Sequence, residues 1–349
     1  MPPRPARAAP DVIGVFSGGA ARIAAFVGAY REVHDRGWRF REVAGVSAGA
    51  IVAALIAAGA TPQQMADSLA VGPADRVLVD PVPMPGVRVA PPALRAFAWL
   101  LDVALRRQLA KTSHKALLDI LPGHAVWRVI RYLGMFGSHG LEGWLRNLLR
   151  DQIAQAGPGR VPDVVTFTDL RLPLTVVAAD LTAGHEKVWS RTRTPGADVA
   201  RAVAASCLAP FVFQPVAEDG HLYVDGGLVM DTPLAVLWDE EGAAPAASMV
   251  LEFVIATRPE PWAVSGGLAS LIEMTARLVS VAVSSRRRTQ RTAPIPIRSI
   301  WIDTRGAPSL AAHLPAEHHQ ALYELGRTAV RRCLDDEVRS GLPDPGTDA

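Results

Sequence analysis

Within its first 60 residues the chain twice runs a short apolar segment into a glycine turn and then into a helix-spaced segment. This repetition restricts the fold more than any other feature. Asp11 to Phe16 (DVIGVF) has the pattern of a buried strand and ends in Ser17-Gly18-Gly19. Arg22 to His34 follows with apolar residues at helical spacing: Ile23, Phe26, Val27 and Tyr30. The unit then recurs. Glu42-Val43-Ala44 is strand-like, Gly45-Val46-Ser47-Ala48-Gly49 is a turn, and Ala50 to Ala58 is an Ala-rich helix ending near Gly59. Two consecutive strand–turn–helix units predict an α/β fold with parallel strands.

Further strands are expected at Leu174 to Ala179, Lys187 to Ser190, His221 to Val224, Met249 to Ala256 and Ser299 to Asp303. Helices are expected at Val199 to Cys207, Ser270 to Ser284 and Pro315 to Leu334. Residues 70–160 read differently: a proline-rich stretch leads into helices near 93–121, 124–136 and 141–155. These form either a helical insertion capping the site or ordinary outer-layer helices. Residues 1–10 are expected as a disordered leader, 11–335 as the folded domain and 336–349 as a polar tail.

Gly45-Val46-Ser47-Ala48-Gly49 fits G-x-S-x-G, the turn that exposes a nucleophilic serine between a strand and a helix. Small residues are needed on both sides because the chain reverses sharply there. The positive end of the following helix favours negative charge at the serine oxygen. Ser17 also stands at a strand end, but it lacks the preceding glycine. The turn Ser17-Gly18-Gly19-Ala20-Ala21-Arg22 opens a helix, and the free N–H groups of such a start can serve as an oxyanion hole. The alternative is a purely structural turn, since the nucleotide-binding fingerprints G-x-G-x-x-G and G-K-[ST] are absent. Arg22 is either a stabiliser of negative charge or a solvated helix residue.

A serine hydroxyl needs a base. Asp225, in Tyr223-Val224-Asp225-Gly226-Gly227, ends a strand before two glycines. A partly desolvated carboxylate there gains basicity, although an aspartate before Gly-Gly is also a common turn residue. A Ser-His-Asp triad is the competing arrangement, with His313, His318 or His319 following the acid in the chain. Those histidines lie in or beside an amphipathic helix, and His221 precedes Asp225 on its strand.

The segments FSGGAARIAAFVGAY, GVSAGAI, AVAASCLAPFVFQPV and LYVDGGLVMDTP resemble, in this order, four blocks of the patatin-like phospholipases. FTDLRLPLTVVAADLTAG (Phe167 to Gly184) and IWIDTRG are similar to that family as well. The resemblance spans roughly residues 11–335, with 70–160 matching least. It implies a three-layer α/β/α sandwich with a largely parallel central sheet, and hydrolysis of acyl-lipid esters by a Ser–Asp dyad through an acyl-enzyme, without a cofactor. Carried over, Ser47 is the nucleophile and Asp225 the base. Gly18, Gly19, Ala20 and Arg22 form the anion site, and Gly45 and Gly49 shape the elbow. The chain departs from the family at Ala20 and Ile23, where glycines are usual, and at Met230-Asp231-Thr232-Pro233, where Asp-Asn-x-Pro is usual. A catalytically weakened lipid-binding or scaffold protein is therefore an alternative, as is a triad esterase.

Other classes fit poorly. The net charge of +2 makes nucleic acid a poor partner, and no metal-ligand spacing is present in the sequence. Cys207 and Cys333 suit small buried positions in a reducing compartment. No stretch reaches the ~20 apolar residues of a spanning helix, and the N-terminus does not read as a secretory signal. A cytoplasmic protein with peripheral membrane contact is expected. Leu94 to Leu105, with Arg106 and Arg107, and the cluster Arg286-Arg287-Arg288 with Arg291 are the candidate contact segments.

Overall fold

A computed structural model describes residues 10–70, 133–155, 161–238, 247–256, 294–304 and 316–340. The candidate membrane segments, His313 and the expected helix at 270–284 lie outside these residues, as does most of 70–160.

The opening units form as the spacing predicts. Strand β1 (Asp11–Phe16) is followed by a 3-10 turn (Ala20–Arg22) and helix α1 (Ile23–Asp35). Strand β2 (Arg39–Val46) leads into α2 (Ala48–Ala58), and α3 (Pro62–Ala70) follows. β2 begins earlier than its apolar run. Arg39 and Arg41 both reach the Asp11 carboxylate, at 3.4 and 2.7 Å, so charged pairing with β1 extends the strand. Helix α2 is buried on every side, as its Ala/Ile/Val/Leu composition requires.

Later come β3 (Gly134–Phe136), α4 (His139–Gln155), β4 (Leu174–Asp180), β5 (His185–Ser190) and α5 (Val199–Cys207). They are followed by β6 (Phe211–Phe213), β7 (Val216–Glu218), β8 (His221–Val224), β9 (Met249–Ala256), β10 (Ile297–Asp303) and α6 (Ala316–Ser340). Gly134–Phe136 is a strand paired with β6, not the end of a helix. Helix α6 runs on to Ser340, past the expected start of the tail.

The main sheet has eight strands in the order β10-β9-β1-β2-β4-β8-β7, with β5 also paired to β4. Pairings from β10 to β4 are parallel, and those among β4, β5, β7 and β8 are antiparallel. One face packs against α1, α2, α5 and α6 in a continuous core in which Phe16 stacks on Phe253 at 4.8 Å. The other face carries Ile13, Val15, Val46, Val177 and Val250, covered by side chains from Val229 to Trp238. This is the expected class, a three-layer α/β/α sandwich with a mostly parallel sheet; among the described residues that segment represents the second outer layer. On the helical side α1 and α6 touch backbone to backbone. A Cβ on Gly28 would lie 1.9 Å from the Tyr323 carbonyl oxygen. Beside this contact the buried Glu32 takes Arg36, Arg327 and Arg331.

One detail of the sheet brings the two candidate site residues together. β5 pairs along β4 from Thr175 to Asp180 and so occupies one of its edges. The other edge pairs with β2 as far as Val46↔Val177, and then with β8 from Val224↔Ala179 onward. β2 and β8 run toward each other and stop nose to nose. The residues that follow their ends are Ser47 and Asp225.

Candidate active site

At this junction Ser47 Oγ donates a hydrogen bond to Asp225 Oδ2 at 2.8 Å. Serine at a helix start usually caps its own helix. Here Ser47 makes no capping bond and has φ 53° and ψ −127°, a left-handed conformation rare for a residue with a side chain. The strain, about 1–3 kcal/mol, turns the hydroxyl away from α2 and toward Asp225.

The elbow glycines are required by space. A Cβ on Gly45 would lie 2.3 Å from the Gly49 carbonyl oxygen, and one on Gly49 would lie 2.4 Å from that of Phe16. The ends of β1 and β2 and the start of α2 therefore meet through bare backbone. Gly226 is confined likewise, with its notional Cβ 2.2 Å from the Val177 carbonyl oxygen.

Asp225 has its second oxygen held by the Gly227 N–H at 2.7 Å. Loss of hydration pushes its pKa up to about 6, against the opposing pull of the Ser47 and Gly227 hydrogen bonds. Cys207 lies close enough to feel this carboxylate. Burial, and secondarily the Asp225 charge, hold its thiol well above the ordinary value and so keep it protonated.

Sequence reasoning passed over Ser206. Its side chain is 0% exposed and sits where the β2–β4 ladder breaks. The Ser47 N–H donates to Ser206 Oγ at 2.9 Å, and Ser206 Oγ donates to the Val177 carbonyl at 2.6 Å. The hydroxyl thus replaces the rung that β2 gives up when it turns into the elbow. A serine following Val203, Ala204 and Ala205, on the buried face of a small-residue helix, was the available signal. Ser206→Ala leaves both backbone groups unpaired and is expected to cost about 1–3 kcal/mol in urea unfolding.

The glycine turn lies beside the elbow. The position of a Cβ on Gly18 would be 3.9 Å from Ser47 Cβ and 3.8 Å from Asp231 Oδ1. The Gly18 N–H donates to the Asp231 carbonyl at 3.1 Å. The amide of Gly19 has no hydrogen-bond partner among the described residues, and the 3-10 turn that follows it opens at Ala20. Of the two departures from the family, Ala20 opens the 3-10 turn, and Ile23 occupies ordinary helical backbone with φ −52° and ψ −33°. Arg22 is half-buried, its pKa is lowered by desolvation, and its N–H donates to the Gly19 carbonyl at 3.0 Å.

The other candidates fall elsewhere. Ser17 is fully buried, and its hydroxyl is engaged by the Ile255 N–H and the Gly18 carbonyl, both at 3.1 Å. His221 Nδ1 lies 2.6 Å from Asp180 Oδ2, with its ring stacked on Tyr223. His318 and His319 belong to α6. Among the described residues no cluster suited to a metal ion is found, and no helix is long and apolar enough to cross a membrane.

Comparison with known proteins accords with this architecture. The family model for patatin-like phospholipase matches residues 14–238. The protein YqhO of Bacillus subtilis (strain 168) is 26% identical over 326 residues, covering 90% of this chain and 94% of that protein. Protein R571 of Acanthamoeba polyphaga mimivirus is 27% identical over 107 residues, covering 31% of this chain and 34% of that one. The crystal structure of VipD from Legionella pneumophila superposes with a TM-score of 0.53 at 18% identity, over 95% of this chain and 67% of that one. The fold is shared with VipD, and because the family model covers more than half of the sequence, strand ends, elbow and glycine turn included, the chain belongs to the patatin-like phospholipases.

Proposed function

We propose that the protein is a lipid acyl hydrolase that cleaves carboxylic esters with a Ser47–Asp225 dyad. The observation that carries this reading is the 2.8 Å hydrogen bond between the strained Ser47 hydroxyl and a carboxylate whose pKa is pushed up to about 6. A base of that pKa is largely ionised at neutral pH and still accepts a proton readily.

In this mechanism Ser47 Oγ attacks the acyl carbonyl carbon and passes its proton to Asp225 Oδ2. Negative charge builds on the carbonyl oxygen, which the amides of Gly19 and Ala20 meet, with the N-terminal end of α2 and the Arg22 charge adding to the field. The intermediate collapses, the C–O bond to the leaving alcohol breaks, and the alcohol takes the proton from Asp225. Water then gives a proton to Asp225 and attacks the acyl-enzyme, which releases the fatty acid and returns the proton to Ser47. No step requires a cofactor. Family membership makes phospholipids and related acyl lipids the substrate class.

The test is labelling with a fluorophosphonate across pH, followed by peptide mass spectrometry. Ser47 is expected to be the labelled residue. The labelling rate should rise about tenfold per pH unit below about 6 and level off above it, because only ionised Asp225 activates the hydroxyl. A folded protein that is not labelled at any pH argues for lipid binding without catalysis. Labelling lost on changing His313 or His318 argues for a triad.

A further inference from the structure

Behind the glycine turn lies a set of polar contacts that the proposed chemistry does not use. Glu252 is in the middle of β9 and only 5% exposed, on the face that also carries the buried Val250 and Val254. A carboxylate in such surroundings needs donors to replace its water. Thr232 Oγ1 donates to Oε1 at 2.8 Å, and Ser299 Oγ donates to Oε2 from the paired position on β10.

Thr232 directly follows Asp231, whose carbonyl holds the Gly18 N–H. On the other side of the same glycine, Ser17 is tied to β9 twice. Its N–H donates to the Phe253 carbonyl at 3.0 Å, and its hydroxyl accepts from the Ile255 N–H while donating to the Gly18 carbonyl. Both polar groups of Gly18 are thus referred back to residues 252–255. Consecutive glycines have soft backbone torsions, so the aim of the following amides depends on such outside ties.

We propose that Glu252 is a positioning residue for the reaction. Through Thr232 it fixes the Asp231 carbonyl, hence the rotation of the Gly18 peptide, and hence the direction in which the Gly19 and Ala20 amides face Ser47. The inference rests on the reading of those amides as oxyanion donors. A carboxylate with one hydroxyl on each oxygen specifies a single register between the 231–233 segment and the sheet. An apolar contact at the same place permits sliding.

The experiment measures hydrolysis of a short-chain p-nitrophenyl ester by the full chain at pH 8, and across pH, for Thr232→Val, Thr232→Ser and Ser47→Ala. Misaimed donors reduce transition-state binding more than substrate binding. Thr232→Val is therefore expected to lower kcat about 10- to 100-fold. KM should stay within about twofold and the pH midpoint should not move, since Asp225 is untouched. Thr232→Ser, which keeps the donor, should restore kcat. If Thr232→Val does not fold, the double variant Thr232→Val/Glu252→Gln, which also removes the buried charge, should show the same kcat loss. Wild-type kcat in the valine variant or the double variant overturns the proposal, as does a loss confined to KM or a serine variant that fails to restore. Ser47→Ala separates the two levels. If it is inactive while Thr232→Val is unimpaired, only the positioning role falls; if it remains active, the dyad reading falls with it.

Discussion

Asp225→Asn is expected to lower kcat for ester hydrolysis by about 10³-fold while making the protein more stable at pH 8. On the proposed mechanism the loss is that of the base, since general-base catalysis is worth about 10²–10⁴-fold. The gain follows from linkage. The folded-state pKa of about 6 lies above the ordinary 3.8, so the native state holds this proton more tightly than the unfolded chain does. The stability this proton contributes is fully present below pH ~4, is lost as pH rises through about 6, and its absence is then a constant penalty at higher pH. At pH 8 the penalty is on the order of 1–3 kcal/mol. Asparagine does not titrate; its oxygen can still accept from the Gly227 N–H, and its amide can face Ser47 Oγ. Urea unfolding at pH 4.5 and pH 8 checks the sign. A variant with no advantage at pH 8 would show that burial does not disfavour the charged form here.

Gly49→Ala is expected to destabilise by about 4 kcal/mol or more, lowering the melting temperature by roughly 10 °C and removing activity. In a helix this change ordinarily stabilises by about 1 kcal/mol. Here the new methyl would sit 2.4 and 2.5 Å from the carbonyl oxygens of Phe16 and Ser17. Neither can yield without moving β1 and with it the glycine turn. Gly143→Ala, in α4 with nothing within 4 Å of its notional Cβ, is the control and should be neutral or stabilising. Equal behaviour of the two variants in a thermal melt would contradict the packing described for the elbow.

Much of this arrangement was legible from local pattern. The strands at Asp11–Phe16, His221–Val224 and Met249–Ala256 and the helix at Val199–Cys207 occur at the bounds their composition suggests. The three strands are apolar runs followed by serine, aspartate or threonine, and the helix is a small-residue run set between its cap Asp198 and Pro210. The start of β2 was not legible, because Arg39 and Arg41 are held there by a carboxylate on another strand. Three-residue strands such as β3, β6 and β7 are too short for any periodicity to register. Ser47 and Asp225 stood out because each ends a strand beside glycine. That the two strands share one edge of β4 depends on pairings no local window contains. Ser206, Thr232 and Glu252 escaped for the same reason, since their partners lie between 20 and 159 residues away.

The nose-to-nose meeting of β2 and β8 also bears on how the site withstands motion. Ser47 and Asp225 are 178 residues apart in the chain, yet both are referenced to the same three residues of β4, Val177 to Ala179. A tilt or shift of β4 against its flanking layers carries both groups by the same amount, like two marks on one ruler. Their separation changes only if one strand slips along β4 while the other stays, and that breaks ladder hydrogen bonds. Thermal breathing of the outer layers is in this sense a common-mode disturbance, and the Ser47–Asp225 hydrogen-bond distance is insulated from it.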